Sequence, residues 1–186
     1  MTKVLCLGPE DSDIFQWLAN IGEEVVITSE KINLAQLKSV SPDIIVSHGY
    51  RHIITADVIA AVEKGRLINL HISYLPWNRG ADPNFWSFYD NTPKGFTIHC
   101  IDDGLDTGDI LYQRAVDINA SHTLKSSYEL LQTEMCKAFR DNWVSLKGLS
   151  VSAAKQAGSG SYHRASELKA IIHRYPKHWD TPVADI

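Results

Sequence analysis

Along the first part of the chain, short aliphatic runs recur between stretches of helical spacing. Lys3 to Gly8 is a compact apolar run stopped by Gly8-Pro9, as a buried strand and its turn would be. Ile14 to Ile21 then places Phe15, Leu18 and the Trp17/Ile21 pair at helical spacing. The β-branched run Glu24 to Ser29 predicts a second strand, Leu34 to Val40 a short helix, and Pro42 to His48 a third strand. Thr55 to Lys64 reads as a helix capped by Thr55 and closed by Gly65, and Leu67 to Ser73 as a fourth strand. Strands alternating with helices in this way predict β-α-β crossovers: an α/β fold whose mainly parallel sheet has helices on both faces.

From Tyr74 the rhythm changes. Tyr74 to Asn84 is a polar, aromatic, proline-containing loop, Phe85 to Tyr89 a short helix, and Phe96 to Ile101 a further strand. Asp102 to Gly108 is an acidic turn, and Ile110 to Ile118 alternates as an antiparallel edge strand should. Leu124, Tyr128, Leu131, Met135, Phe139 and Trp143 mark one face of a long amphipathic helix, begun by Ser121 or Thr123 and stopped at Gly148. Beyond it the composition shifts to small and polar residues. The expected organisation is therefore a domain over residues 1–149 and an extension over 150–186, packed on it or trailing from it.

Composition narrows the classes. With 44% hydrophobic and 22% charged residues the chain is that of a folded globular protein. Eighteen Lys and Arg against 22 Asp and Glu give a net charge of −4, which argues against nucleic acid as a partner. Cys6, Cys100 and Cys136 are scattered without CxxC spacing and read as buried thiols of a reducing compartment. The amino-terminal apolar run is too short for a signal peptide, and no stretch is long enough for a membrane span, so the expected location is cytoplasmic.

Ligands of open parallel sheets bind at the carboxyl ends of the strands. The loop after Gly8 has neither GxGxxG nor GxxxxGK[ST], so neither dinucleotide nor P-loop chemistry is supported. The later strand ends are rich in His, Asn and Asp. On the strand Ile68-Asn-Leu-His-Ile-Ser73, Asn69, His71 and Ser73 share one face, while Ile68, Leu70 and Ile72 point into the core. An amide beside an imidazole suits a reaction that develops negative charge on oxygen, with Asn donating and His also moving protons. A carboxylate from Asp102 to Gly108 would orient the imidazole and keep its cation accessible near neutral pH. The bland alternatives are a strand-end Asn with a satisfied core His, and a solvated acidic turn. Calcium at that turn fails for want of the EF-hand ligand order, and zinc at His48 and His52 would need a helix where the pattern has a strand end; no metal is expected.

Asn69-Leu-His71-Ile-Ser-Tyr-Leu-Pro76, Arg79-Gly80-Ala-Asp-Pro83 and Gly104-Leu-Asp106-Thr-Gly108 resemble the formyltransferases that use 10-formyltetrahydrofolate. These include the methionyl-tRNA, glycinamide ribonucleotide and sugar N-formyltransferases. The resemblance covers about residues 3 to 145. It implies a Rossmann-like formyltransferase fold and a catalytic trio of Asn69, His71 and Asp106. It also implies a folate pocket lined by Gly49, Tyr50, His52 and Ile54 and completed by Asp102, Asp103, Gly104 and Leu105. Tyr74, Trp77, Arg79 and His99 become candidate substrate contacts. Trp77, Phe85, Trp86 and Tyr89 could form a stacking wall or simply pack the loop; Gly158 to Arg164 could touch a phosphate through Arg164 or be a flexible linker, the reading preferred here. The partners implied are folate and a small amine. A tRNA substrate would call for an appended basic domain, and Pro9-Glu-Asp-Ser-Asp13 departs from the phosphate loop of the glycinamide ribonucleotide enzymes. An amino sugar on a nucleotide carrier is therefore favoured. The alternatives are a folate-binding protein without turnover, or a formyltransferase or deformylase acting on another acceptor. The edge strand and long helix offer surfaces for a homodimer.

Overall fold

A computed structural model describes residues 1–186. Six strands form one sheet in the order β2-β1-β3-β4-β6-β7. The first four in chain order, β1 (Lys3–Leu7), β2 (Glu24–Thr28), β3 (Ile44–His48) and β4 (Leu67–His71), pair in parallel. β5 (Arg79–Gly80) stands apart, and β6 (Gly95–Cys100) and β7 (Ile110–Ala115) close the sheet antiparallel. This is the mixed, mostly parallel sheet that the strand pattern predicts, with an antiparallel edge.

Alternation along the strands feeds two hydrophobic layers. Val4, Cys6, Ile44, Val46, Ile68, Leu70, Phe96 and Ile98 face helix α1 (Asp13–Asn20) and the long helix α5 (Leu124–Lys147), which bury Phe15, Met135, Phe139 and Trp143 among them. Leu5, Leu7, Ile45 and Leu67 face the other way, with Leu37 from α2 (Leu34–Val40) and Val58 from α3 (Ala56–Ala60). Thr123 begins α5 through a reciprocal capping box with Ser126, which decides between the two predicted starts.

Three local expectations give way. The helix expected over Thr55 to Lys64 is only Ala56–Ala60, and Thr55 makes no side-chain cap bond to it. β4 ends at His71. Ser73 therefore does not share a strand face with Asn69: its hydroxyl donates to the Trp77 carbonyl and its own carbonyl accepts from Thr97. The stretch read as a linker is a built part of the fold. β8 (Tyr162–His163) pairs in parallel with β5, and helix α6 (Ala165–Ile171) and three short 3₁₀ turns follow. The tail is pinned by bridges from Ala154 to Ile110 and from Pro182 to Thr123. His163 stacks on Trp86 at 4.0 Å and meets carboxylates of Asp90 (2.7 Å) and Glu167 (2.9 Å). Phe85 and Trp86 of helix α4 (Pro83–Tyr89) form a small core with Leu124, so those rings pack the fold rather than wall a substrate site.

Candidate active site

The face that carries Leu67 into the second hydrophobic layer turns polar one residue pair further on. Parallel and antiparallel registers align Ser47 of β3, Asn69 of β4 and His99 of β6 in one row, with His71 and Thr97 the next pair up. β6 then runs into the loop that carries Asp106. Asp106 adopts a left-handed backbone (φ 53°), which Asp tolerates better than most residues. Two residues on, a side chain at Gly108 would strike the Cys100 carbonyl, so only glycine lets the loop fold back this closely on β6.

The consequence is convergence. Asn69 Nδ2 donates to Asp106 Oδ1 at 3.3 Å and lies 3.3 Å from His99 Nε2. His99 Nδ1 donates to the Cys100 carbonyl at 2.7 Å, and its Nε2 faces Asp106 Oδ1 at 3.5 Å as well as Asn69. Asp106 Oδ2 accepts the Gly80 N–H at 2.9 Å and stands 3.7 Å from His71 Nε2. His71 Nε2 donates to the Asn78 carbonyl at 3.2 Å, and its Nδ1 makes no hydrogen bond. Asn69, His71 and Asp106 meet at the wall of a cavity of about 720 Å³, a volume typical of small-molecule sites.

Electrostatics sorts their roles. Burial pushes the His71 imidazole below its ordinary range, and the raising effects of Asp106 and the Asn78 carbonyl do not recover it, while His99 lowers it further. His71 is thus neutral at pH 7, with Nδ1 as its bare nitrogen. The expected carboxylate is in place beside the imidazole, and desolvation outweighs it in the resting state. For Asp106, burial alone would raise the carboxyl; attraction to His71, which is protonated at the acid pH where a carboxylate titrates, with His99 and the Gly80 N–H, outweighs it and holds the group well below the usual carboxylate range. The resting pair is a neutral base beside an ionised carboxylate.

Gly49, Tyr50, His52 and Ile54 line one stretch of the cavity, and Asp102, Asp103, Gly104 and Leu105 another. Asp102 shapes its loop by accepting from Gly104 N–H (3.1 Å) and the Thr107 hydroxyl (2.5 Å). The Tyr50 hydroxyl accepts from Ile32 N–H and donates to the Glu30 carbonyl, which ties the β3 loop to the turn after β2. His99 lines the cavity but is only 1% exposed, beneath Asn69 and Asp106. Tyr74, Trp77 and Arg79, expected as substrate contacts, lie outside it; the Arg79 guanidinium is taken up by Gln156. His48 lines the cavity, bonded to Ser12 (2.9 Å) and Gln132 (3.0 Å), and Gln132 in turn donates to Tyr128. No three His, Cys, Asp or Glu side chains are grouped to hold a metal ion. No helix is long and apolar enough to cross a membrane.

The tail supplies Tyr162, His163 and Arg164, which all line the cavity, in the stretch for which the sequence favours a linker and offers a phosphate contact through Arg164 as the alternative. Their only sequence signal was the aromatic-basic cluster after Gly158-Ser-Gly-Ser161. Gln132 was legible only as the residue one turn beyond Tyr128.

Residues 23–141 match the family profile described as "Formyl transferase". A methionyl-tRNA formyltransferase of Clostridium novyi (strain NT) is 33% identical over 71% of this chain, which corresponds to 43% of that protein. The chain spans about half the length of the curated relatives it matches. Among solved structures, the formyltransferase PseJ from Anoxybacillus kamchatkensis, in complex with UDP-4,6-dideoxy-4-formamido-L-AltNAc and tetrahydrofolate, superposes with a TM-score of 0.92. It is 41% identical, over 98% of this chain and 96% of that one. A 4-N formyltransferase from Francisella tularensis shares the fold at 21% identity, with a TM-score of 0.78 over 91% of this chain and 79% of its own.

Proposed function

This chain belongs to the formyl transferase family, and on that premise we propose that it moves the formyl group of 10-formyltetrahydrofolate to the amine of a nucleotide-linked amino sugar. The observation that carries the reading is the meeting of Asn69, His71 and Asp106 at one cavity wall. The near full-length likeness to PseJ, whose crystals hold a formamido sugar nucleotide and tetrahydrofolate, supports both co-substrates. The cavity is large, and folate chemistry fits its apolar stretch at Tyr50, Ile53, Ile54 and Leu105 beside backbone of the acidic loop.

The acceptor amine attacks the formyl carbon; a C–N bond forms and the carbonyl oxygen becomes an oxyanion. Asn69 Nδ2 turns from Asp106 or His99 to donate to that oxygen. Neutral His71 takes the proton that the amine gives up, and the imidazolium so formed is stabilised by ionised Asp106. The bond from the carbon to folate N10 then breaks and the proton passes to N10. The sum is one formamide, one tetrahydrofolate and one proton moved from amine to N10. Arg164 lines the cavity and makes no ion pair within 4.0 Å; Glu167, the acid that senses its charge, is bonded to His163. Its guanidinium is suited to the diphosphate of the carrier.

A chromatographic formyl-transfer assay with a panel of amino-sugar nucleotides tests the reading. The wild-type chain should transfer, and His71→Ala should lose about 10²- to 10⁴-fold in kcat while remaining folded by circular dichroism. Folate binding with no transfer to any acceptor would instead favour a binding protein, and formate release without an acceptor a deformylase.

A further inference from the structure

Gln156 lies between α5 and β8, in a stretch whose residues from Ser152 to Lys155 and from Ala157 to Ser159 face solvent, yet Gln156 itself is turned inward. Its amide uses every hydrogen-bonding position that it has. Oε1 accepts twice from Arg79, from Nε at 3.1 Å and Nη2 at 2.7 Å. Nε2 donates twice, to the carbonyl of Asp106 at 2.8 Å and to that of Gly108 at 2.9 Å. Both carbonyls belong to the loop that presents the Asp106 carboxylate. Arg79 adjoins Gly80, whose N–H donates to that same carboxylate. One side chain of the tail therefore ties together the two backbone segments that meet at Asp106. The left-handed backbone of Asp106, though easier for Asp than for most residues, gains outside support from the clamp.

We infer that Gln156 is a positioning residue for the transfer step: it holds the loop so that Asp106 faces His71, and so makes a competent carboxylate conditional on a seated tail. The inference rests on the mechanism above, in which Asp106 stabilises the His71 imidazolium. Residue 156 lies outside the segment that matches the family profile.

Two variants separate positioning from anchoring. Gln156→Met keeps the length and removes all four bonds. Gln156→Glu keeps the two acceptor contacts with Arg79, now as an ion pair, but removes the donors to Asp106 and Gly108. Both should lower kcat about 10- to 100-fold, with KM for folate and acceptor each within about threefold of wild type. The groups facing His71 are Asp106, which favours its protonation, and His99, which opposes it. If Asp106 drifts, His71 holds its proton less firmly, so NMR titration of the His71 ring should show a lower midpoint in both variants. Unchanged kcat in Gln156→Glu, a loss confined to the acceptor's KM, or an unmoved His71 midpoint would each overturn the inference and leave Gln156 as a tether. The titration needs no acceptor. A wild-type chain that transfers to nothing would sink the functional reading, while the midpoint would still decide the clamp.

Discussion

The sheet and the tail give residues to the same cavity, but different forces hold them. Asn69, His71 and His99 stand on strands whose register is set by backbone ladders between two hydrophobic layers. Helix α6 of the tail has no fully buried residue; the tail is held by a two-residue strand pair, two isolated bridges, partly buried side chains such as Leu168 and Ile171 against Phe85, Trp86 and Leu124, and side-chain bonds such as those of Gln156 and His163. The positions of Asn69, His71 and His99 are thus over-determined, whereas the wall proposed for acceptor recognition and the hold of Gln156 on the Asp106 loop rest on bonds that open individually at low cost.

The largest effect that could break this contrast is in the core. Phe139→Ala, at a fully buried position between α5 and the sheet, should cost about 3–5 kcal/mol in urea denaturation. Leu168→Ala, only partly buried against Phe85, Trp86 and Leu124, should cost less than about 2 kcal/mol. Equal losses would mean that the tail is packed as tightly as the core of the sheet, and the contrast would fail.

Acid titration sharpens it. Burial would raise the Glu23 carboxyl, but hydrogen bonds from Lys147, Trp143 and the Thr2 N–H, with the Lys147 charge, draw it down to about 2. A carboxyl depressed in the folded state contributes stability above its ordinary range, near 4.5, and loses that contribution as pH falls toward about 2. The wild-type urea midpoint should therefore fall over that window, and Glu23→Gln should flatten the fall. Tail bonds contribute little to this slope if the contrast is right. An unchanged slope in Glu23→Gln would remove the clamp between β2 and α5 from the account.

The smallest effect concerns recognition. Arg164→Ala should raise the acceptor's KM about tenfold, the range expected for one charge-assisted hydrogen bond at an exposed site. Folate affinity, measured by calorimetry with 5-formyltetrahydrofolate, should not change. A matching loss for folate would place Arg164 with the other co-substrate.

The sequence is legible where local periodicity and long-range packing agree. Leu124 to Trp143 reads as a helix because its apolar stripe is the face that packs on the sheet. The Asn69/His71 pair reads as a site because strand alternation sets both on one face. Legibility fails where few residues decide. Nothing local distinguishes a helix of five residues at Ala56–Ala60 from the longer one that the apolar pattern over Thr55 to Lys64 suggests. Ser73 continues the strand pattern, but its chain has already turned at His71. Gln156 is one polar residue among many; its role comes from partners 48 to 77 positions away, which no window of the sequence contains.

The seam between β5 and β8 has an evolutionary corollary. Because α6 packs inward only through the partly buried Leu168 and Ile171, mutations on its exposed face carry little folding penalty. Descendants could drift toward new amines by rewriting that face, with the one-carbon chemistry inherited wherever Gln156 and its partners are kept.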